Sequence, residues 1–265
     1  MKLSKMKKKN NKFKYILISI ISFAVFLVIW YMVTDVFKLV KPISLPSPIK
    51  VVESFINKFS SKRPDGATLQ AHVLSSLSIV LTGYLAGCIV GVPLGIFMAW
   101  NRRADTFIRP VFDWFRSVPG MGWIPVMILI FGINLASKAA IVFAISFVAI
   151  LINSYSGIKN TNPVHMWVAQ TFGASNKQLL FKVAIPSALP HIFTGLRQGL
   201  NQAWASVVAA EMIGSNKGLG YMIQMNRENS RADLIIVGML SIGLVGTILS
   251  VVLQKFEDKY VRGRH

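Results

Sequence analysis

Long apolar runs separated by short polar and basic segments dominate the chain. Tyr15 to Val33 carries no charge over nineteen residues, enough to cross a bilayer core of about 30 Å. Further apolar runs occupy 73–100, 123–133, 139–152, 198–213 and 234–253. The pattern predicts an all-α integral membrane protein of about six transmembrane helices, over 15–33, 71–100, 106–133, 136–153, 191–213 and 234–254. The third is interrupted by Ser117-Val118-Pro119-Gly120-Met121-Gly122-Trp123-Ile124-Pro125. The segment 34–70 contains Leu45-Pro46-Ser47-Pro48 and then Val51, Val52, Phe55 and Ile56 at helical spacing, which predicts a short amphipathic helix at the outer surface.

Composition agrees with the pattern. Of 265 residues 53% are hydrophobic and 15% charged, where a soluble domain carries about 25% charged residues. The mean hydropathy is +0.54. The net charge of +19 sits in the gaps between apolar runs, as a positive-inside bias requires. Nucleic-acid binding would need a basic folded face and is set aside. Lys2, Lys5, Lys7, Lys8, Lys9, Lys12 and Lys14 precede the first run and place a basic N-terminal segment, 1–14, in the cytoplasm. That run is too long for a signal-peptide core and ends in Trp30, Tyr31 and Met32, so it reads as an uncleaved first helix. The basic tail, 255–265, returns to the same side. Cys88 lies alone in an apolar run, and His72, His165, His191 and His265 show no metal-ligand spacing, so no metal site is expected.

Gly83, Gly87, Gly91 and Gly95 fall on one face of the second helix, and Gly195 and Gly199 on one face of the fifth. Small residues let helices approach closely where lipid offers no hydrophobic drive to associate. Packing is the favoured reading of both sets.

The stretch 154–190 is longer than a turn between spans requires and has internal structure. Asn162-Pro163 starts a short helix, Gly173 breaks it, and Ser175 with Gln178 forms a capping box. Leu179, Leu180, Val183 and Ala184 share one face of the following helix, flanked by Lys177 and Lys182 and ended by Pro186 and Pro190. Such a helix lies on the membrane surface or docks into a groove on a partner.

These residues resemble the loop of ABC-importer permeases in which an E-A-A triplet precedes a conserved-type glycine and an I-x-L-P ending. Gly173-Ala174-Ser175 and Val183-Ala184-Ile185-Pro186 carry the match. Leu45-Pro46-Ser47-Pro48, Trp123-Ile124-Pro125, Ser187-Ala188-Leu189-Pro190, Thr194-Gly195-Leu196-Arg197, Ala209-Ala210-Glu211-Met212-Ile213-Gly214 and Gly218-Leu219-Gly220-Tyr221 resemble the nitrate/sulfonate/taurine/bicarbonate branch. The resemblance implies a type I importer fold and a coupling role for 154–190. It implies a second permease subunit, two cytoplasmic ATPase subunits that hold ATP and Mg, and an external solute-binding protein. The chain itself has no G-x-x-x-x-G-K-[ST] phosphate loop and no catalytic constellation, and is not expected to be an enzyme. The triplet falls on Trp167-Val168-Ala169, so the acidic residue is missing and docking is expected to use other contacts there.

Candidate pathway residues are the helix break at Pro119, Gly120, Gly122 and Trp123, the polar set Asn201, Gln202 and Trp204, and the intramembrane acid Glu211. For the break, a kink is the rival reading; for the polar set, packing; for Glu211, a gate or structural partner is preferred to substrate contact. The solutes implied are sulfonate-, taurine- or nitrate-like anions, or aromatic and pyrimidine- or riboflavin-type precursors. An ion-coupled secondary transporter is the alternative class.

Overall fold

In a lipid-like surrounding, long charge-free runs can satisfy their backbone hydrogen bonds only within themselves, which leaves the α-helix. The computed structural model describes residues 2–260 and is helical along all these runs. Its helices are α1 (Lys2–Tyr31, continued by a π-helical turn at Met32–Val36), α2 (Pro48–Lys58), α3 (Leu69–Trp100), α4 (Arg102–Ser117), α5 (Ile124–Phe131), α6 (Leu135–Lys159), α7 (Pro163–Thr171), α8 (Asn176–Gln178), α9 (Ile185–Met212), α10 (Leu219–Glu228) and α11 (Ala232–Tyr260). The side chains of Lys2, Lys5, Lys7, Lys8, Lys9 and Lys12, and residues Arg262, Arg264 and His265, lie outside the described part. Among the described residues 5 helices are long and apolar enough to cross a membrane, or 6 if α4 and the segment Gly120–Phe131, bent by 94°, form one broken span.

Several boundaries differ from expectation. The third span is not a kinked rod: α4 stops at Ser117, a 3-10 turn occupies Gly120–Trp123, and α5 leaves at a steep angle. The fourth continues past 153 to Lys159. Pro186 and Pro190 do not end a helix. Pro186 lies in the first turn of α9, where a missing N–H is tolerated, and Pro190 lies inside it. The π-helical residues Leu179–Ala184 carry the chain from α8 into α9 without a stop. α10 falls between two expected spans, where no helix was expected.

The chain divides into two compact units, Met1–Thr68 with Met225–Val237, and Leu69–Gln224 with Gly238–His265. In the first, Ser47 caps α2 by accepting from Lys50 N at 3.3 Å, with Pro48 in the first turn. The face α2 buries is Val51, Ser54 and Lys58, while Val52 and Ile56 are exposed. The buried side is held by polar pairs. Lys58, 1% exposed, pairs with buried Asp65, which also accepts from Asn226 Nδ2 at 3.0 Å. Ser54 Oγ donates to Asp233 Oδ2 at 2.7 Å, and Arg231 pairs with the same carboxylate at 2.7 Å. Buried polar atoms must find such partners, and this requirement sets the helix rotation.

The second unit is organised on α6, which packs along both α3 and α9. Gly83 faces Ala139 and Val142, Gly87 faces Ser146, Gly91 faces Ile150, and Gly95 faces Leu151 and Ser154. A Cβ at Gly83 would stand 2.5 Å from Ala139 O, and one at Gly95 2.7 Å from Leu151 O. On the other flank, Gly195 meets Asn153, and Gly199 meets Ile150 and Ser146 O. Tyr84 Oη donates to Leu196 O at 3.0 Å and ties α3 to α9.

Gly95→Val is therefore expected to destabilise the helix core by about 1–3 kcal/mol. Gly243→Ala, where a Cβ meets nothing within 4 Å, should leave thermal unfolding in detergent unchanged. Equal melting of the two variants would contradict this packing.

Candidate functional site

Three local arrangements hold the residues singled out by sequence. The first joins α6 to α9. Asn162 Oδ1 accepts from Val164 N at 2.9 Å and starts α7. Gly173 ends it with φ +78, a conformation that favours glycine. Ser175 N donates to Gln178 Oε1 at 2.8 Å and Gln178 N to Ser175 Oγ at 3.4 Å, completing a reciprocal cap. Leu179, 2% exposed, and Ala184 face the protein's own interior. Ala184 joins Ala99, Ile158, Ala188 and Ile192 in a cluster against which Met166, Leu180 and Ile185 pack. The expected docking face at 179–184 is thus partly an anchor. The apolar surface left exposed belongs largely to α7 and its end: Trp167 is 62% and Phe172 87% exposed, with Val164, Val168 and Phe181. Beside it lies a groove of about 610 Å³ lined by Val168, Ala169, Lys182, Val183, Pro186 and Tyr260, among others. No Asp or Glu occurs between 154 and 190.

The second arrangement is the broken span. Gly122 N donates to Pro119 O at 2.8 Å and closes the turn. Gly120 presses on Ile145 of α6 so closely that a Cβ there would collide with the Ile145 side chain. Trp123 stacks on Phe115 with ring centroids 4.7 Å apart and meets Trp114 edge-on. A cavity of about 190 Å³ opens at the break, lined by Phe115, Arg116, Pro119, Gly120, Trp123 and Gln202, with Ala144, Ile145 and Val148 of α6 behind. Pro119, Gly120, Trp123 and Gln202 thus converge, and Gly122 lies in the same turn. Arg116 joins them. Sequence reading passed over it, and its spacing of three from Asp113 was the available signal.

Asn201 and Trp204 are not in this cavity. Asn201 Oδ1 accepts from Ser250 Oγ at 3.3 Å. Trp204 is buried, its Nε1 donating to Ile242 O at 3.0 Å, with Gly246 leaving room for the ring. Packing, the rival reading, describes Trp204.

Glu211 forms the third arrangement. It is 0% exposed, and its carboxylate accepts from Ser76 Oγ at 2.7 Å and from Gly220 N at 2.8 Å. Leu219 N donates to Ser76 Oγ at 2.9 Å, and Gly218 N to His72 Nδ1 at 3.1 Å. These N–H groups open α10, where a helix has no internal acceptors and a carboxylate is favoured. Glu211, Ser76 and His72 therefore cap α10 from two other helices. Gly218, with φ +127, has no room for a Cβ against the Glu211 carboxylate. Neither Ser76 nor His72 was singled out by sequence, because a cap supplied from distant helices leaves no local pattern.

Ser76→Ala is expected to lower stability by about 1–3 kcal/mol by stripping Glu211 and Leu219 N of a partner. Ser78→Ala, which removes only a bond to the helix's own Ser75 O, should be neutral in the same thermal-unfolding measurement.

Residues 91–262 match the family model described as binding-protein-dependent transport system inner membrane component. The chain is 32% identical over 246 residues to the taurine transport system permease protein TauC of Escherichia coli (strain K12), covering 93% of this chain and 89% of that protein. It is 36% identical over 254 residues to a putative ABC transporter permease protein of Methanocaldococcus jannaschii, covering 96% and 93%. Among solved structures, an inward-facing conformation of the MetNI methionine ABC transporter matches with TM-score 0.61 at 20% identity, covering 74% of this chain and 95% of that one. That likeness concerns the fold: the type I importer permease. The ion-coupled alternative is set aside, and the chain belongs to the binding-protein-dependent transport inner membrane component family, as a multi-pass membrane permease subunit of an ABC importer.

Proposed function

We propose that this permease, paired with a second copy of itself, passes a small sulfonate-type anion inward, driven by ATP and Mg bound on two cytoplasmic ATPase subunits. The observation that carries the coupling role is the exposed apolar surface of α7, Trp167 and Phe172 above all, mounted on α6 and α9 by the buried Leu179 and Ala184. An exposed patch of this kind marks a protein contact. The missing acid at Trp167 makes that contact apolar where the family pattern has a charge. The residues after the Gly173 break run on into the core, since 176–212 is one helical stretch.

The pairing reading draws on α9. Thr194, Gln198, Asn201 and Gln202 are exposed along one side of a membrane-spanning helix. Lipid is a poor neighbour for such groups, whereas a second copy or a water-filled path is a good one. The solute class draws on the likeness to the taurine permease. With the lysine-rich N-terminus inside, α7 faces the cytoplasm and an external solute-binding protein delivers to the opposite end.

The test is taurine uptake into proteoliposomes holding the permease, its ATPase and its binding protein. Uptake should require ATP and should fall at least about tenfold in Gly173→Val, whose left-handed backbone a β-branched residue resists. Trp167→Glu should weaken co-purification of the ATPase. Full ATP-driven uptake by both variants would overturn the coupling role, and absence of small-anion uptake by the wild type would overturn the solute class.

A further inference from the structure

One face of α4 carries four charges in sequence: Asp105, Arg109, Asp113 and Arg116, at spacings of four, four and three. Helical geometry puts such positions in one row. The lower pair is locked. Arg109 Nη2 bonds Asp105 at 3.0 Å, Tyr155 Oη donates to Asp105 Oδ2 at 3.0 Å, and the Arg109 guanidinium lies over the Tyr155 ring at 4.9 Å. The upper pair is open. Arg116 Nε meets Asp113 Oδ1 at 2.9 Å, with side chains 46% and 43% exposed.

Depth makes the upper pair unusual. Arg116 lines the 190 Å³ cavity together with Ala144, Ile145 and Val148, the middle of α6, which runs from Leu135 to Lys159. At about 1.5 Å rise per residue this level lies roughly 15–20 Å from either end of that helix. A charge at mid-membrane is tolerated where it is paired or wet, and it marks a pathway.

We propose that Arg116 and Gln202, against the Trp123–Phe115 wall, form a mid-membrane binding site for a small monovalent oxyanion of the sulfonate type. The guanidinium fork presents parallel N–H donors that match two oxygens of such a group. Gln202 adds amide donors across the cavity, and the stacked rings give the solute's apolar part a surface. A volume of about 190 Å³ equals roughly six waters at about 30 Å³ each, enough for a one- or two-carbon sulfonate. Asp113 keeps the empty site nearly neutral. It limits affinity, as a translocation site requires if the solute is to leave again.

The inference deepens the anion-permease reading and rests on it, yet the two are separable. The full-length protein in nanodiscs is titrated with methanesulfonate and with dimethyl sulfone, its uncharged counterpart, while tryptophan fluorescence is followed. Saturable quenching is expected with methanesulfonate alone. Affinity should drop about tenfold in Arg116→Gln and less in Arg116→Lys, which keeps charge but loses the fork. Arg102→Gln, a charge at the far end of α4, should bind as wild type. Gln202→Leu, expected to bind a few-fold more weakly, carries the same test if Arg116→Gln folds poorly. Unchanged affinity in the Arg116 and Gln202 variants, equal response to dimethyl sulfone, or no saturable response in the wild type each overturns the site. ATP-driven taurine uptake by the wild-type complex alongside any of these would leave the permease reading standing. Arg116-dependent binding without uptake would overturn that reading and leave the site.

Discussion

Close contact along α6 is the constraint on which the larger unit depends. In a lipid-like surrounding the drive to associate is dispersion and hydrogen bonding, both of which fall off steeply with distance. Glycines at 83, 87, 91 and 95 on one flank, and at 195 and 199 on the other, bring α3 and α9 against the α6 backbone. What α6 touches is thereby placed. Ile145 receives the break at Gly120, Asn153 donates to Gln198 at 3.0 Å, and Ile158 anchors Ala184 at the base of α9. The cavity at the broken span and the mounting of α7 are both consequences of where this one helix lies.

Charged groups at membrane depth fall into two kinds here. Glu211 is fully enclosed, and every bond it makes serves the start of α10. Its burial is tolerable because a helix N-terminus supplies the donors that water would have supplied. Arg116 is half open and borders a cavity. An intramembrane charge is thus an architectural cap in one case and borders a cavity in the other. The difference is enclosure, not residue type.

The surface on α7 follows a similar logic. An amphipathic helix has one face to spend on its own protein, and the residues 179–184 spend theirs inward. That leaves Trp167 and Phe172 outward, in a stretch free of carboxylates. A contact built on these is dominated by apolar area and is little affected by salt, unlike one built on a surface ion pair.

Much of this protein was legible along the chain. Hydrophobic runs long enough to cross a bilayer, the glycine rows, the Asn162 and Ser175 caps and the break at Gly173 are local features, and each is set by residues within a turn or two of one another. The break at 117–125 was legible as a discontinuity, but its 94° bend was not, because an angle between segments depends on what each packs against. Only tertiary structure paired Lys58 with Asp65, turned Leu179 inward, enclosed Glu211 beside Ser76 and His72, and separated Trp204 from the cavity that Gln202 and Arg116 both line. The physical reason is the same in each case. Backbone periodicity fixes which residues share a face, but the desolvation and partnering that decide a side chain's role come from beyond the local turn, from 7 positions away for Lys58 and Asp65 to 135 for Ser76 and Glu211.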